Sequence, residues 1–353
     1  MNVPALRGLR FYVWATGLCA LAAGGVLLAP CTSAAYESDQ LTARLQPPRD
    51  ISEEADEHAN LLLRRAAERA NTMGACKADD ARAQELVAGL VHREMGGKAL
   101  VRAPGAQPMM SFGAYAAWLE RAPLPKASWG DRADLYGSVP LRDNLLLKVV
   151  GPSSTVQLAG VLVGTDKIDH FWVQGFDYYQ RSGGGQDPER ALAWGTGTEW
   201  GVWGVRSTGV FSFSDLAANH AGYRFYTHLL GPTSPLQRGD DGCVALARPF
   251  HWGDWIDWRL DEVLNPSVYE ESLAEDIRRV TIADGQGLCA GGRPLLGPAE
   301  RALLRQALTE IPAYASAAAP RRDRALDLTD LCPALREVVG EVVGELGPRP
   351  TGS

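Results

Sequence analysis

Three neighbouring segments of the chain carry ionisable or amide residues at spacings that could build a reactive site. Asp166 and His170 are four residues apart, and so are Asp215 and Asn219. On an α-helix, residues at this spacing lie on the same face. Glu199 lies between the two pairs, in a tryptophan-rich stretch that otherwise lacks charged residues. These residue types favour metal ligation or acid–base chemistry.

These polar residues occur on helix faces that are otherwise apolar, so they need partners inside the protein. A buried charge without a partner is very costly, and carboxylate and imidazole groups on adjacent helices form metal sites in helical bundles. The sequence therefore predicts a divalent metal held by Asp166, His170, Glu199, Asp215 and Asn219. Such ligands suit zinc, manganese or iron more than copper. Glu199, in its aromatic setting, is the predicted catalytic proton acceptor.

The same residues also allow a purely structural interpretation. Asp166 would then stabilise the first turn of its helix, where the helix dipole favours an acid, and Lys167 would pair with Glu199. Asp215 would be a first-turn acid of a later helix, and Asn219 would bind a loop backbone. In this interpretation the polar residues form a hydrogen-bonded core that fixes the register of the helices.

The order of these residues resembles a pattern found in two groups of bacterial proteins. Residues 166–170 read Asp-Lys-Ile-Asp-His, Glu199 follows, and residues 212–222 read Ser-x-x-Asp-x-x-Ala-Asn-x-x-Gly. The pattern is similar to that of the VanZ-like membrane proteins and of small envelope lipoproteins typified by YfiM. The resemblance implies a helical core in which these polar residues converge, but it implies no particular activity. Unlike a transmembrane segment, this region contains several charges: Asp169, Asp177, Arg181 and Arg224.

Capping residues and glycines predict the elements that position the site. We expect helices over 165–181, 187–204 and 212–231, because each begins at a capping residue and ends near glycine. Two apolar runs on either side of a Gly-Pro-Ser-Ser sequence predict a β-hairpin over about residues 145–163. The predicted fold class is mainly α, with a bundle-like helical core, one hairpin and long loops.

The ends of the chain differ from its middle. A short basic segment, about 20 apolar residues and then small residues at Ser33 and Ala35 predict a signal peptide over 1–35 and export to the periplasm or cell envelope. An uncleaved membrane anchor and a lipoprotein attached at Cys31 are the alternatives. Residues 36–311 form the predicted main helical domain, with the polar three-helix site at 165–230. Residues 312–353 are a predicted linker and peripheral C-terminal helix.

The remaining cysteines agree with an exported protein. Cys76, Cys243, Cys289 and Cys332 are even in number, and an oxidising compartment favours disulfides. Four cysteines allow three pairings, and sequence alone does not select one. We favour Cys243 with Cys289, because both lie in glycine-rich loops that flank one helical segment.

Composition excludes one class of partner. The chain has 35 basic and 42 acidic residues and no basic run, so it lacks the electrostatic footprint of a nucleic-acid-binding protein. Two hypotheses for function follow. The first is a metal-dependent envelope hydrolase that acts on a lipid or cell-wall substrate. The second is a non-catalytic structural or binding protein that associates with the membrane or cell wall.

Overall fold

The computed structural model describes residues 37–44, 46–102, 109–128, 135–136, 153–201, 204–206, 208–283, 301–302 and 341. The predicted signal peptide, the first hairpin arm, the linker, most of the C-terminal helix, Cys289 and Cys332 lie outside these residues. The described chain is mainly α-helical with short antiparallel strand pairs, which confirms the predicted fold class.

The helices are α1 (Gln40–Ala43), α2 (Ser52–Thr72), α3 (Asp80–Met95), α4 (Ala114–Arg121), α5 (Thr165–Trp172), α6 (Gln174–Arg181), α7 (Pro188–Glu199), α8 (Phe213–Thr227) and α9 (Glu271–Ala283). The strands are β1 (Lys98–Arg102), β2 (Met109–Gly113), β3 (Thr155–Leu158), β4 (Val161–Gly164), β5 (Val210–Phe211), β6 (Leu236–Arg238), β7 (Val244–Leu246) and β8 (Val268–Tyr269). The strands pair as β1–β2, β3–β4, β5–β8 and β6–β7, all antiparallel.

The predicted helix over 165–181 is two helices, and both pack against α8. The helical path breaks at Val173, between α5 and α6. Two glycines allow the close approach to α8. A Cβ on Gly175 would lie 2.6 Å from the Cα of Gly222, and a Cβ on Gly222 would overlap the carbonyl oxygen of Phe171. The final glycine of the sequence pattern therefore serves backbone packing.

The starts of α7 and α8 agree with the sequence. The Asp187 side chain accepts a hydrogen bond from the Arg190 N–H, and Pro188 occupies the first turn. The Ser212 hydroxyl caps α8 by accepting a hydrogen bond from the Asp215 N–H. Helix α7 ends at Glu199, earlier than the predicted 204.

The position predicted for the turn of the hairpin over 145–163 is wrong. The stretch 156–163, expected to be one strand, contains the turn itself, at Ala159 and Gly160 between β3 and β4. Both residues have positive φ, 51° and 78°, as a two-residue hairpin turn requires. Gly160 adopts this conformation without strain, and it was the signal that the sequence offered. The expected first arm, 145–150, lies outside the described residues.

The preferred pairing of Cys243 with Cys289 is wrong, because Cys243 forms a disulfide with Cys76. Cys76 lies in the turn between α2 and α3, and Cys243 immediately precedes β7. Strand β7 packs on α2, and the Asn71 side chain donates to the Val244 carbonyl and accepts from its N–H, both at 2.8 Å. This long-range contact brings together cysteines that are 167 residues apart.

An aromatic core underlies these helices. Trp172 and Phe171 of α5 pack edge-on against Trp252, and Tyr115 of α4 accepts a hydrogen bond from the Trp252 indole at 2.8 Å. All four side chains are fully buried. Among the helices described, none combines the length and apolar character needed to cross a bilayer.

Candidate functional site

A buried lysine lies at the centre of the polar cluster. The Lys167 Nζ is 2.5 Å from Asp166 Oδ2, 2.7 Å from Asp215 Oδ1 and 2.6 Å from Glu262 Oε1. Its side chain is fully shielded from solvent, and the three carboxylates are almost as buried. The three acids raise the pKa of Lys167 well above its usual value, and this outweighs the opposing effect of burial. The lysine is therefore a fixed internal cation.

The first turn of α5 places two of these groups. Helix α5 starts directly after β4, so Asp166 and Lys167 lie next to the C-terminal end of this strand. Asp166 Oδ1 accepts a hydrogen bond from Ser153 Oγ at 2.9 Å, and its other oxygen faces the lysine. Asp166 also lies where the helix dipole favours a negative charge. The structural role predicted for Asp166 thus coexists with its place in the cluster.

His170 and Asn219 extend the cluster from α5 to α8. The His170 Nε2 is 3.2 Å from Asp215 Oδ2, and its Nδ1 is 2.9 Å from Asn219 Oδ1. The Asn219 amide then contacts the Tyr178 hydroxyl at 3.5 Å. Burial opposes the charged ring, but the Asp215 carboxylate outweighs it and raises the pKa of His170 to about 9. The ring is therefore protonated at neutral pH, and both of its nitrogens donate.

Asp215 is the most strongly stabilised anion of the cluster. Burial alone would raise its pKa, but His170 and Lys167 hold the pKa well below its usual value. The residue sits in the first turn of α8, and the hydroxyl of Ser212 caps that turn. The same hydroxyl is 3.2 Å from Glu262 Oε1. Ser212 thus links the helix cap to the ion network.

Glu199 closes the cluster from the end of α7. Its Oε1 accepts a hydrogen bond from the Ser212 N–H at 3.0 Å, and the residue is only 2% exposed. Burial and the nearby charge of Asp215 raise the pKa of Glu199 to about 8. A carboxyl group with this pKa holds its proton at pH 7. It is better suited to donating a proton than to the acceptor role predicted from the sequence.

Two acids of the cluster were missed by the sequence analysis. Glu262 lies well after the sequence pattern of residues 166–222 and follows a short turn. Its backbone N–H donates a hydrogen bond to the Gln40 side chain at 2.6 Å. Glu37 accepts a hydrogen bond from Thr208 Oγ1 at 2.8 Å. Burial, opposed in part by Lys167, raises the pKa of Glu262 to about 7, and burial with the charge of Glu262 raises the pKa of Glu37 well above its usual value. Neither acid belongs to a spaced motif, so only the fold reveals them.

The cluster contains more acids than cations. Five carboxyl groups interact electrostatically with one another or with Lys167: Glu37, Asp166, Glu199, Asp215 and Glu262. Lys167 and protonated His170 supply two positive charges. Since an uncompensated buried charge is very costly, the remaining acids hold protons. We call these seven residues, together with Asn219 and Ser212, the ion network.

Part of the network has the geometry of a metal site. Carboxylate oxygens of Asp166, Asp215 and Glu262 all lie within 4.8 Å of one another, close enough to hold a metal ion. This triad shares two acids with the predicted ligand set and includes Glu262, which was not predicted. The other predicted ligands, His170, Glu199 and Asn219, belong to the same network, but their polar atoms face Asp215, Ser212 and each other. The Lys167 ammonium lies within 2.7 Å of all three triad carboxylates.

No protein-family model, curated protein or solved structure matches this chain.

Proposed function

We propose that this chain is an exported, non-catalytic envelope protein, structural or binding, whose fold is fixed by the buried ion network. The observation that carries the proposal is the position of the Lys167 ammonium, which pairs with all three acids of the triad. In this interpretation the polar residues serve the fold, and interactions with other molecules occur elsewhere on the surface.

The Lys167 ammonium occupies the space between the three carboxylates and supplies the positive charge that a metal ion would otherwise supply. Metal–carboxylate bonds are about 2.0–2.2 Å long, so an ion on these three oxygens would overlap the ammonium. The two cations would also repel each other strongly at such short range. The contacts of Lys167 therefore favour a structural ion cluster over a resident metal.

Burial also supports a structural role. The residues that face Lys167 and Asp215 are at most 6% exposed, and they come from distant parts of the sequence. A catalytic acid or base has to come within hydrogen-bond distance of its substrate. Side chains that are enclosed on all sides are suited instead to holding helices in one arrangement.

One feature of the sequence and one of the structure support export. The basic, apolar and small-residue order of segment 1–35 is typical of a signal peptide. The disulfide between Cys76 and Cys243 is compatible with an oxidising compartment, where such bonds persist.

The test combines metal analysis with two substitutions in the network. The mature protein is purified without chelator, and its metal content is measured together with that of His170→Ala and Asp215→Ala. We expect no bound metal and a large loss of thermal stability in each variant, because each leaves buried charges unpaired. A metal-free protein whose two variants remain as stable as the parent would overturn the structural proposal.

A metal-dependent hydrolase remains the second candidate, and the 4.8 Å grouping of the triad favours it. A zinc, manganese or iron ion there would lower the pKa of a bound water. Asp166, Asp215 and Glu262 would hold the ion, and Lys167 would have to leave its present place. In the same experiment, about one metal ion per chain, lost in His170→Ala and Asp215→Ala while the fold persists, would support this candidate.

A further inference from the structure

A surface groove lies apart from the ion network and shares no residue with it. Its volume is about 860 Å³, and its walls come from three parts of the chain. The first half of α2 forms one wall, the end of α4 and residues 122–124 form the second, and residues 246–251 form the third. Grooves of this size fall within the range that binds ligands in proteins.

One part of the groove lining is aromatic and apolar. The His58 ring stacks on Trp118, with centroids 3.9 Å apart and planes inclined by 14°. Burial and the nearby Arg65 lower the pKa of His58 to about 4, so this ring is uncharged at neutral pH. Leu61 lies one helical turn further along α2 and is 40% exposed, although large apolar side chains are normally covered. Leu124 and Leu246 add to the apolar lining.

Another part of the groove lining is acidic. Four acids of α2 form it: Glu53, Glu54, Asp56 and Glu57. Glu54 pairs with Arg49, and Asp56 pairs with His251. Glu53 and Glu57 are exposed, lie four residues apart on one face, and form no ion pair among the residues that the structure describes. Like charges at this spacing repel, so a cation placed between them would relieve the repulsion.

We propose that this groove binds a basic, apolar peptide segment of a partner protein, with lysine or arginine beside leucine-like side chains. The exposed carboxylates match the basic residues, the His58–Trp118 stack offers a face for a cation, and Leu61 covers an apolar side chain. Arg64 also lines the groove, and its positive charge disfavours a basic peptide residue directly beside it. This inference rests on the proposed binding role of the protein and names the surface and the class of partner.

Fluorescence anisotropy with a labelled peptide of alternating lysine and leucine tests the proposal on the full mature protein. The groove variant carries Glu53→Gln and Glu57→Gln. The matched control carries Glu68→Gln and Glu85→Gln, which remove the same charge from exposed positions of α2 and α3. We expect saturable binding that weakens about tenfold in the groove variant and less than about twofold in the control. A labelled glutamate–leucine peptide should not bind.

Equal weakening by the two variants would show that only overall acidity attracts the peptide, and it would overturn the proposal. Absence of saturable binding to the wild-type protein would also overturn it, as would saturable binding of an uncharged sugar oligomer in place of the peptide. These outcomes leave the metal content and the thermal stability of the network variants unchanged. A failure of the groove is therefore distinguishable from a failure of the structural role of the ion network.

Discussion

Replacing Lys167 with methionine removes the ammonium that contacts all three triad carboxylates. Methionine matches most of the length of lysine and its flexible stem, so the cavity stays filled while the ammonium is lost. Asp166, Asp215 and Glu262 then face one another without the cation between them. We expect the variant to fold with markedly lower stability at neutral pH.

The magnitude follows from the three contacts. At an effective dielectric constant of about 20, each contact of the ammonium with an ionised carboxylate at 2.5–2.7 Å gains roughly 6 kcal/mol. Dehydration of the four groups cancels most of this gain, so the intact cluster adds little net stability. Removing one partner leaves the rest buried and unpaired, which costs about 3–5 kcal/mol. In a domain of this size, that corresponds to a fall in Tm of roughly 6–20 °C.

Urea unfolding and thermal melting of Lys167→Met measure the loss, with Lys77→Met as the control because Lys77 is exposed. The loss should shrink as the pH falls from 7 to 5. In the variant the unpaired carboxyl groups bind protons more tightly when folded than when unfolded, so acid stabilises the folded form. A variant as stable as the Lys77→Met control, at every pH, would refute the reasoning.

Three further predictions address other parts of the structure. Because folding raises the pKa of His170 from 6.5 to about 9, the protonated ring stabilises the folded protein fully below pH 6.5, and this stability is lost as the pH rises to 9. The urea midpoint of unfolding should therefore fall between pH 6.5 and pH 9. A midpoint that rises instead would contradict the assignment of a protonated ring. Peptide mapping of the unreduced protein should recover Cys76 linked to Cys243, and Cys76→Ser should cost about 2–5 kcal/mol; a different partner for Cys243 would exclude this disulfide. Gly222→Ala should destabilise the fold by about 1–3 kcal/mol or more through its overlap with a carbonyl oxygen, whereas Gly197→Ala, which meets open space, should be neutral or stabilising; equal melting temperatures would argue against the close helix crossing.

Local signals in the sequence predicted the elements well. The caps at Asp187 and Ser212 are where side-chain chemistry required them, because a capping hydrogen bond depends only on neighbouring residues. The hairpin turn at Ala159–Gly160 was missed because a single glycine is a weaker signal than the Gly-Pro-Ser-Ser sequence before it. The break at Val173 has no local marker in the sequence.

The site shows the same division between local and distant information. Helical spacing predicted that Asp166 and His170 share a face, and the two do face one cluster. The structural interpretation placed Lys167 in the core but paired it with Glu199, and that partner is wrong: the lysine pairs with Asp166, Asp215 and Glu262. Glu37 enters the cluster through a contact with Thr208, 171 positions away, and Glu262 through the contact of its N–H with Gln40, 222 positions away. Pairings over that distance leave no periodic trace in a single sequence.

The position of Glu262 sets the smallest piece of this protein that can be studied in isolation. A fragment cut after α8 would retain every residue of the sequence pattern and yet lack Glu262, one of the three acids that contact the Lys167 ammonium. It would also lose the segment that anchors the side chain of Gln40. Biochemical work on the pattern therefore needs a polypeptide that runs from at least residue 37 through residue 265, since shorter versions would be misassembled at their centre.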